Sequence, residues 1–503
     1  MERYVHFHSL CMKISSRSTS PFPTSSGVPD KVHVSASTAA LLKQCGKGHW
    51  VSKREEIVQV KGKGVLETFW MVPKSRGGSG SASGSVHSNS SQMDYYEAFD
   101  IEEDDCIRNE RLVDWIVKLL IPHMKQVIAK REAMPQVSAA PIAVFKRSSG
   151  ETNLDEVVTS LVLPKFDPRV AAKMDPSKVD IPLHVIGELR DFVFRMSQTY
   201  NQNPFHNFEH ACHVTMSVDK FLKRIVAPDL DLKAERGAAS HQVHNYTHGI
   251  TSDPMTLMAI VFSALIHDAD HRGISNAQLG KEHPDMDKMY KGKSVAEQNS
   301  LDIAWDMLME DSFTDLRSCL FANQVELRRF RQLIVNVVLA TDIFDKELND
   351  LRKMRWSNAF GSNSSEDADA TNALRATIVI EHIIQASDVS HTMQHWHVYR
   401  KWNACLFEEM YMAFRAGRMG ANPASFWYKG ELGFFDNYII PLAKKLKDCN
   451  VFGVSSDECL NYALLNRAEW ETRGKDLVED MVASLQAKAT LQEHPVLGEK
   501  LQV

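Results

Sequence analysis

The 503-residue sequence has no long apolar run, no CxxC pair among its 8 cysteines and no excess of basic residues. No stretch reaches the roughly 20 apolar residues that a membrane-spanning helix needs, and the start MERYVHFHSLCMKISSRSTS lacks the apolar core of a signal peptide. The scattered cysteines are typical of a reducing compartment, so a cytoplasmic location is expected. The net charge of -6 argues against a nucleic-acid-binding surface, which needs clustered Lys and Arg.

The composition varies along the chain and predicts two folded units joined by a linker. A hydrophobic fraction of 44% and a charged fraction of 24% are typical of globular proteins, and a chain of this length usually exceeds one hydrophobic core. The predicted segments are a flexible leader over 1–31, a small α/β unit over 32–73, a Gly/Ser linker over 74–93, a helical connector over 94–165, a large domain over 166–487 and a tail over 488–503.

The small unit alternates β-rich runs with the glycine-bearing turn KGKG at 61–64, which predicts a short helix and a hairpin. Its segments VHVSASTAALLKQ and VKGKGVLETFWMVP resemble the C-terminal end of a class III nucleotidyl cyclase domain, as in guanylate cyclases. The segments that would carry that family's metal-binding aspartates are not in the chain, so cyclase activity is not predicted. The resemblance also suggests that this chain is the intracellular part of a longer membrane-bound cyclase fusion.

The connector carries apolar residues at helical spacing over 94–133, interrupted by Pro122. The periodic residues are Leu112, Ile116, Leu119, Leu120 and Met124. Such an amphipathic helix has two possible partners. It could pair with the same helix of a second copy and form a homodimer, or it could pack on the domain that follows.

The large domain is predicted to be all-α, because apolar faces of 3.6-residue period recur through it and strand-like alternation is scarce. Two polar stretches are predicted as loops, the histidine-rich 241–248 and the Ser/Asn/Asp-rich 361–371. The predicted helices cover 182–200, 206–226, 254–267, 294–310, 323–341, 373–388, 395–416 and 431–448.

Histidine and aspartate recur beside the apolar helices of this domain. His206 and His210 in HNFEH are four residues apart, which predicts both imidazoles on one helix face. The apolar run 259–266 ends directly in His267 and Asp268, and an ionised aspartate at the end of a buried helix needs a compensating charge. A divalent cation held by His and Asp would supply that charge. The alternative is a charge network with a nearby arginine, Arg272.

Six segments of the domain resemble, in order and spacing, the catalytic domain of class I cyclic nucleotide phosphodiesterases. They are NPFHNFEHACHV at 203–214, ALIHDADHRGISNAQL at 264–279, SVAEQNSL at 294–301, LATD at 339–342, ASDVSH at 386–391 and YRKWNACLFEE at 399–409. The resemblance covers about 166–487. It implies a fold of roughly sixteen helices with a zinc ion and a magnesium or manganese ion in a deep pocket.

The resemblance also implies roles for individual residues. The residues that match the family's metal ligands are His210, His267, Asp268 and Asp388, and Asp268 matches the ligand shared by both ions. His206 matches the general acid that protonates the departing ribose oxygen. The polar residues that match positions holding metal-bound waters or supporting the ligands are Glu297, Thr341, His271 and Asp270.

At the nucleotide end of the pocket, the family implies an aromatic and aliphatic clamp for the purine. Phe434 and Leu406 match its two sides, and Met410 and His391 complete the predicted substrate-binding residues. Glu431 stands where these enzymes typically carry a glutamine that binds the purine edge.

Glu431 predicts a preference for cyclic GMP over cyclic AMP. An ionised carboxylate only accepts hydrogen bonds, which suits the N1–H and amino group of guanine but opposes the unprotonated N1 of adenine. The expected preference is roughly ten- to a hundredfold. In the alternative interpretations, Glu431 turns to solvent or to a lysine, or burial raises its pKa so that the protonated acid resembles an amide.

The predicted function is therefore metal-dependent hydrolysis of 3′,5′-cyclic nucleotides to 5′-monophosphates in signal transduction. Two other functions fit parts of the pattern. The His-Asp pair also occurs in broader HD-type metal phosphohydrolases, and a regulator could bind cyclic nucleotides without hydrolysing them. The GELGFFD segment at 430–436 argues against the first, and the retained His206 with all four ligands argues against the second.

Overall fold

The computed structural model describes residues 32–35, 39, 51–54, 58–60, 64–66, 68–71, 105–134, 150–225, 236–361, 368–452 and 457–493. The chain divides into two compact units, 1–99 and 100–503. Within the described residues, every helix is too short or too polar to cross a membrane. The predicted leader and linker lie outside the described residues, and the other segment boundaries stay predictions.

The first unit contains short antiparallel strands. They are β1 Val32–Ser35, β2 Val51–Lys53, β3 Val58–Val60, β4 Gly64–Leu66 and β5 Thr68–Met71. Strand β5 lies between β1 and β2, and β3 pairs with β4. Val58 faces Leu66 and Val60 faces Gly64, so the hairpin predicted around KGKG is confirmed. The short helix is described at Ala39 alone, and the cyclase resemblance stays a prediction.

The second unit is built from helices, which confirms the all-α prediction. They are α1 Asp105–Ala133, α2 Pro168–Lys173, α3 Leu183–Thr199, α4 Phe208–Arg224, α5 Arg236–Tyr246, α6 Pro254–Ile266, α7 Asn276–Glu282, α8 Pro284–Met289, α9 Val295–Leu308, α10 Thr314–Leu320, α11 Gln324–Leu339, α12 Lys346–Phe360, α13 Ala368–Asp388, α14 Trp396–Arg415, α15 Trp427–Phe434, α16 Ile440–Asp448 and α17 Glu458–Glu493.

Helix α6 lies at the centre of the core. All of its residues are buried, and it packs against α4, α11 and α1. A helix that is apolar on all sides can be shielded from water only by neighbours on every side, which explains this central position. Its C-terminal end therefore delivers the next two residues, His267 and Asp268, into the interior.

Helix α1 runs through Pro122 without a break, so the predicted interruption is wrong. A proline inside a helix costs about 3 kcal/mol, but one face of α1 buries Val113, Ile116, Leu120 and Met124. Each buried apolar side chain contributes about 1.5–3 kcal/mol, which outweighs that cost. Because this face packs on α3, α4 and α6 of the same unit, packing on the following domain is confirmed. The homodimer stays a prediction.

One of the two loops predicted from the polar composition is wrong, and the other is shorter than predicted. The histidine-rich stretch is mostly helix α5. His241 and His244 lie one turn apart on this helix, and both rings contact Phe166, at 5.3 and 5.1 Å between centroids. These contacts stabilise the helix. Histidine does not itself break a helix. The second predicted loop, 361–371, ends earlier than expected, because α13 begins at Ala368; residues 362–367 lie outside the described part.

The helix predicted over 431–448 belongs to a continuous helical path that begins at Trp427, but the middle of that path is not α-helical. Between α15 and α16 the turn Phe435–Ile439 is π-helical, and Pro441 occupies the first turn of α16. Proline cannot donate the backbone hydrogen bond of a continuing α-helix. A π-helical turn before it accommodates the extra residue without ending the helical path.

Candidate metal and catalytic site

The first candidate ligand, His210, lies in the opening turn of α4. The side chain of Asn207 accepts a hydrogen bond from the His210 N–H at 3.0 Å and caps the helix. His206 therefore precedes the helix, and the predicted shared helix face is wrong. The sequence contains the reason, because asparagine strongly favours an N-cap over the helix interior.

The four predicted ligands converge at the ends of three helices. Nε2 of His210 lies 3.1 Å from Oδ1 of Asp388 and 3.7 Å from Oδ2 of Asp268. Nε2 of His267 lies 3.2 Å from the same Asp268 oxygen and 3.4 Å from the same Asp388 oxygen. One ligand atom from each residue lies within 4.8 Å of all the others. The arrangement is a candidate His/Asp metal site.

The His267 ring gives an independent test of this site. Its Nδ1 lies 3.0 Å from the Ala264 carbonyl, which can only accept, so Nδ1 carries the proton. Its Nε2 is buried and has no hydrogen-bond partner among the described residues, despite the two nearby carboxylates. A metal ion suits a lone pair that faces two carboxylates, whereas without a cation these groups repel. The donor set therefore fits a divalent cation.

The charges lead to the same conclusion. Burial alone would lower the pKa of His267, but Asp268 and Asp388 outweigh it and raise that pKa well above its usual range. The two buried carboxylates thus require a positive charge nearby. Without a cation, a proton on the His267 imidazole supplies that charge. The arginine network proposed as the alternative does not supply that charge, because Arg272 pairs with Asp270 at 2.9 Å.

A second cluster lies beside the first and contains His206, His271 and Glu409. Glu409 binds the His206 segment through both carboxylate oxygens. Oε1 lies 2.5 Å from Nδ1 of His206, and Oε2 accepts from the backbone N–H groups of Phe205 and His206 at 3.0 and 2.9 Å. The His206 ring also stacks on His271, with 3.9 Å between centroids. Glu409 thus contacts Nδ1 rather than Nε2 of His206.

Glu409 sets the charge of this histidine. Burial alone would lower the pKa of His206, but the Glu409 carboxylate outweighs burial and raises it to about 9. An imidazole with this pKa is protonated at neutral pH. Sequence reasoning missed Glu409. The sequence did contain one indication of its importance. Glu409 is a carboxylate on the buried face of α14, and Trp402 and Ala413 on the same face are apolar.

Three further polar residues carry predicted supporting roles. Burial and the neighbouring Asp342 raise the pKa of Glu297 to about 8, which indicates too much negative charge on this side of the site. The Thr341 hydroxyl donates to the Val338 carbonyl. Asp270 adopts the left-handed conformation at φ 60° and accepts from Asn201 and Asn299.

Glu431 is buried rather than turned to solvent or to a lysine. The Tyr399 hydroxyl donates to its Oε2 at 2.6 Å. Burial raises the pKa of Glu431 to about 7, against the lowering effect of Tyr399 and Asn403. Tyr399 is a second residue that sequence reasoning missed, because a contact across 32 residues leaves no local signal.

A hydrogen-bond chain behind Glu431 fixes its orientation. The Trp427 indole N–H can only donate, and it donates to Oδ1 of Asn403 at 3.2 Å. The Asn403 NH₂ group therefore faces the Tyr399 oxygen, at 3.4 Å, and the Tyr399 proton is directed to Glu431.

The predicted base-binding residues occupy different environments. Phe434, Leu406 and Met410 are half-buried at the edge of the core, and Phe434 stacks on Tyr438 with 5.4 Å between centroids. His391 is buried, and its ring contacts Phe205 edge-on at 5.6 Å. The substrate-binding roles of these residues stay predictions.

Comparison with known proteins supports one family. Residues 205–455 match the family model of 3′,5′-cyclic nucleotide phosphodiesterases. A probable 3′,5′-cyclic-AMP phosphodiesterase of Caenorhabditis elegans is 25% identical over 51% of this chain and 36% of its own length. A dual-specificity calcium/calmodulin-dependent 3′,5′-cyclic nucleotide phosphodiesterase of Mus musculus is 24% identical over 54% of this chain and 35% of its own length. The chain thus spans about a third of these relatives.

Among solved structures, the phosphodiesterase domain of the Salpingoeca rosetta rhodopsin phosphodiesterase is similar to this chain. It is 22% identical, with a TM-score of 0.43, over 60% of this chain and 87% of that chain.

Proposed function

Residues 205–455 form a domain of the 3′,5′-cyclic nucleotide phosphodiesterase family, and on that premise we propose that this chain hydrolyses 3′,5′-cyclic nucleotides to 5′-monophosphates. The observation that carries the proposal is the convergence of two imidazoles and two carboxylates within 4.8 Å of one another, next to the His206–Glu409 pair. Cleaving a phosphodiester needs both elements, one for the phosphate charge and one for the leaving group. A regulator that binds the nucleotide without hydrolysing it would not need the proton donor.

Two divalent cations complete the proposed site. The mixture of imidazole and carboxylate ligands suits zinc at one position and magnesium or manganese at the other. His210, His267, Asp268 and Asp388 would hold them, with Asp268 shared. When bound, such cations neutralise phosphate oxygens and lower the pKa of water.

His206 would donate the proton that the leaving group needs. A water oxygen forms a new bond to phosphorus after losing a proton, and the bond from phosphorus to the ribose 3′ oxygen breaks. The 3′ oxygen keeps the electron pair and takes the proton from Nε2 of His206, which leaves a 5′-monophosphate. Glu409 holds the imidazole at Nδ1 (2.5 Å) and balances its charge before transfer.

Replacing Glu409 by glutamine should lower kcat about 10- to 100-fold. The carboxylate accepts three N–H groups, from the Phe205 and His206 backbone and from the His206 ring. An amide offers one acceptor atom instead of two, so at least one N–H group loses its partner. Steady-state kinetics with cyclic AMP and cyclic GMP would measure the loss.

Glu408→Gln is the matched control, because the adjacent carboxylate pairs with Lys488 near the surface at 3.0 Å. Its kcat should stay within about twofold of the wild type, since exposed ion pairs contribute little. Equal losses in the two variants would contradict the role of Glu409.

For the base, the proposal is that Glu431 favours guanine when it is ionised. The relatives include an enzyme named for cyclic AMP and one of dual specificity, so the choice of base depends on pocket residues. Oε2 of Glu431 is occupied by the Tyr399 hydroxyl, and Oε1 would accept from N1–H of guanine. Adenine N1 would place a lone pair against it, at a cost of about 1–3 kcal/mol.

The ratio of kcat/KM for cyclic GMP to that for cyclic AMP should therefore rise with pH. Burial raises the pKa of Glu431 to about 7, so at pH 6 most of the carboxyl is protonated and can donate to adenine N1. At pH 8 most is ionised and only accepts. We expect about a tenfold higher ratio at pH 8 than at pH 6, measured with both nucleotides in one buffer series.

Two variants test this titration. Glu431→Gln should give a ratio that does not change between pH 6 and 8. Tyr399→Phe removes the hydrogen bond that lowers the Glu431 pKa, so the change in the ratio should move to higher pH. A wild-type ratio that stays constant with pH, or one that changes equally in Glu431→Gln, would show that Glu431 does not select the base.

A further inference from the structure

The side chain of Asn203 bridges two loops that carry site residues, and the nearby Asn201 donates to one of the same carbonyls, that of His271, at 2.9 Å. Nδ2 of Asn203 donates to the backbone carbonyl of His206 at 3.0 Å and to that of His271 at 2.8 Å. The first loop contains the proposed proton donor. The second follows the central helix α6 and contains His267, Asp268 and His271. Asn203 therefore links the position of His206 to that of the candidate metal site.

His206 needs such a link because it lies outside a helix. Helix α4 begins at Phe208, so the His206 carbonyl is not part of regular secondary structure. Glu409 holds the N–H side of this residue and its ring, and Asn203 holds the carbonyl side. A proton donor displaced by about 1 Å can lose on the order of 100-fold in rate.

We propose that Asn203 is a positioning residue for the reaction, because its amide ties the His206 and His271 carbonyls together and so sets where the His206 imidazole stands relative to the metal ligands. The inference rests on the proposed function. Asn203 itself does not touch the reacting atoms. It acts through His206.

The chemistry of the position requires an amide. Both partners are carbonyl oxygens, which only accept, so the NH₂ group of Asn203 must face them. An aspartate has the same shape but no donor, and its oxygen would oppose two carbonyl oxygens. The space around the amide is also narrow, since a Cβ at Gly273 would lie 3.2 Å from Oδ1 of Asn203.

The test compares two substrates that differ in their leaving group. Cyclic nucleotides expel a ribose alkoxide, which needs a proton, whereas bis(p-nitrophenyl) phosphate expels a stable phenolate and depends less on an acid. Asn203→Asp should lower kcat for cyclic nucleotides about 10- to 100-fold. KM for them, and kcat/KM for the activated diester, should stay within about threefold. His206→Ala should follow the same pattern more strongly.

Asn203→Ser serves as the second variant, because a hydroxyl retains one donor and should give an intermediate loss on cyclic nucleotides alone. Asn466→Asp is the matched control. The Asn466 amide also donates to two carbonyls, those of Thr392 and Gln394 at 2.9 and 2.7 Å, and it is buried. Its replacement should lower the melting temperature and reduce the rates of both substrates by similar factors.

A substrate-independent measurement separates this inference from the proposed function. The NMR resonances of the His206 ring, assigned by their absence in His206→Ala, should shift in Asn203→Asp and remain unchanged in Asn466→Asp. Equal losses on both substrates in Asn203→Asp, or unshifted His206 resonances, would overturn the positioning role. A metal-loaded wild type that hydrolyses neither cyclic nucleotide would overturn the proposed function, while the resonances would still decide the role of Asn203.

Discussion

Asp268→Ala is expected to remove both cations from the protein and to abolish hydrolysis of cyclic nucleotides. Its Oδ2 lies 3.2 Å from Nε2 of His267 and 3.7 Å from Nε2 of His210. Burial and Asp342 raise the pKa of Glu297, and the charge of Asp268 adds to that rise. Oδ2 of Asp268 thus lies near both imidazoles, as expected of a shared ligand. Without it, each of the two proposed cation positions would lose a ligand, and the remaining imidazoles would share a single carboxylate, Asp388.

Elemental analysis of the purified variant, together with activity assays, would measure both effects. Asp219→Ala is the control, because it also removes a buried carboxylate from the core, one that pairs with His123 at 3.1 Å. That variant should be less stable but should retain its metals. Full zinc and manganese occupancy in Asp268→Ala would contradict the assignment of this residue as the shared ligand.

His206→Ala should lower kcat by about 10²- to 10⁴-fold, the usual effect of losing a general acid, with metal content nearly unchanged. Nδ1 of His206 is occupied by Glu409, and the ring belongs to the second cluster rather than to the ligand group. The side chain is 23% exposed, whereas that of His210 is fully buried. A partly open imidazole can reach a leaving group, whereas the buried His210 is suited to binding a cation.

Metal analysis and kinetics on the same preparation distinguish the possible roles of His206. Loss of zinc would make His206 a ligand. An unchanged kcat would remove it from the reaction. Retained metal with a large loss of kcat is the expected result, and the loss should be much smaller for bis(p-nitrophenyl) phosphate.

The features that sequence reasoning located best are those that depend on burial. The apolar run before His267 predicted a buried helix, and the structure places every residue of α6 in the core. The charge of an aspartate at the end of such a buried run must be compensated by a group of opposite charge. The candidate site at this point could therefore be predicted without coordinates.

Features that depend on local competition or on long-range contacts were harder to predict. The spacing of His206 and His210 suggested one helix face, but Asn207 between them caps the helix instead. Glu409 contacts His206 across 203 residues of sequence, and the periodicity of apolar residues cannot predict such a long-range contact. The only local indication is a carboxylate on the apolar face of a helix.

The most direct test of the proposed function is hydrolysis of cyclic AMP and cyclic GMP by the full chain, assayed as purified, after chelation, and after addition of zinc with magnesium or manganese. We expect 5′-monophosphate to form, to cease after chelation and to return with the metals, with cyclic GMP the better substrate at pH 8. No turnover of either nucleotide by the metal-loaded chain, or turnover that chelation leaves unchanged, would contradict a metal-dependent cyclic nucleotide phosphodiesterase.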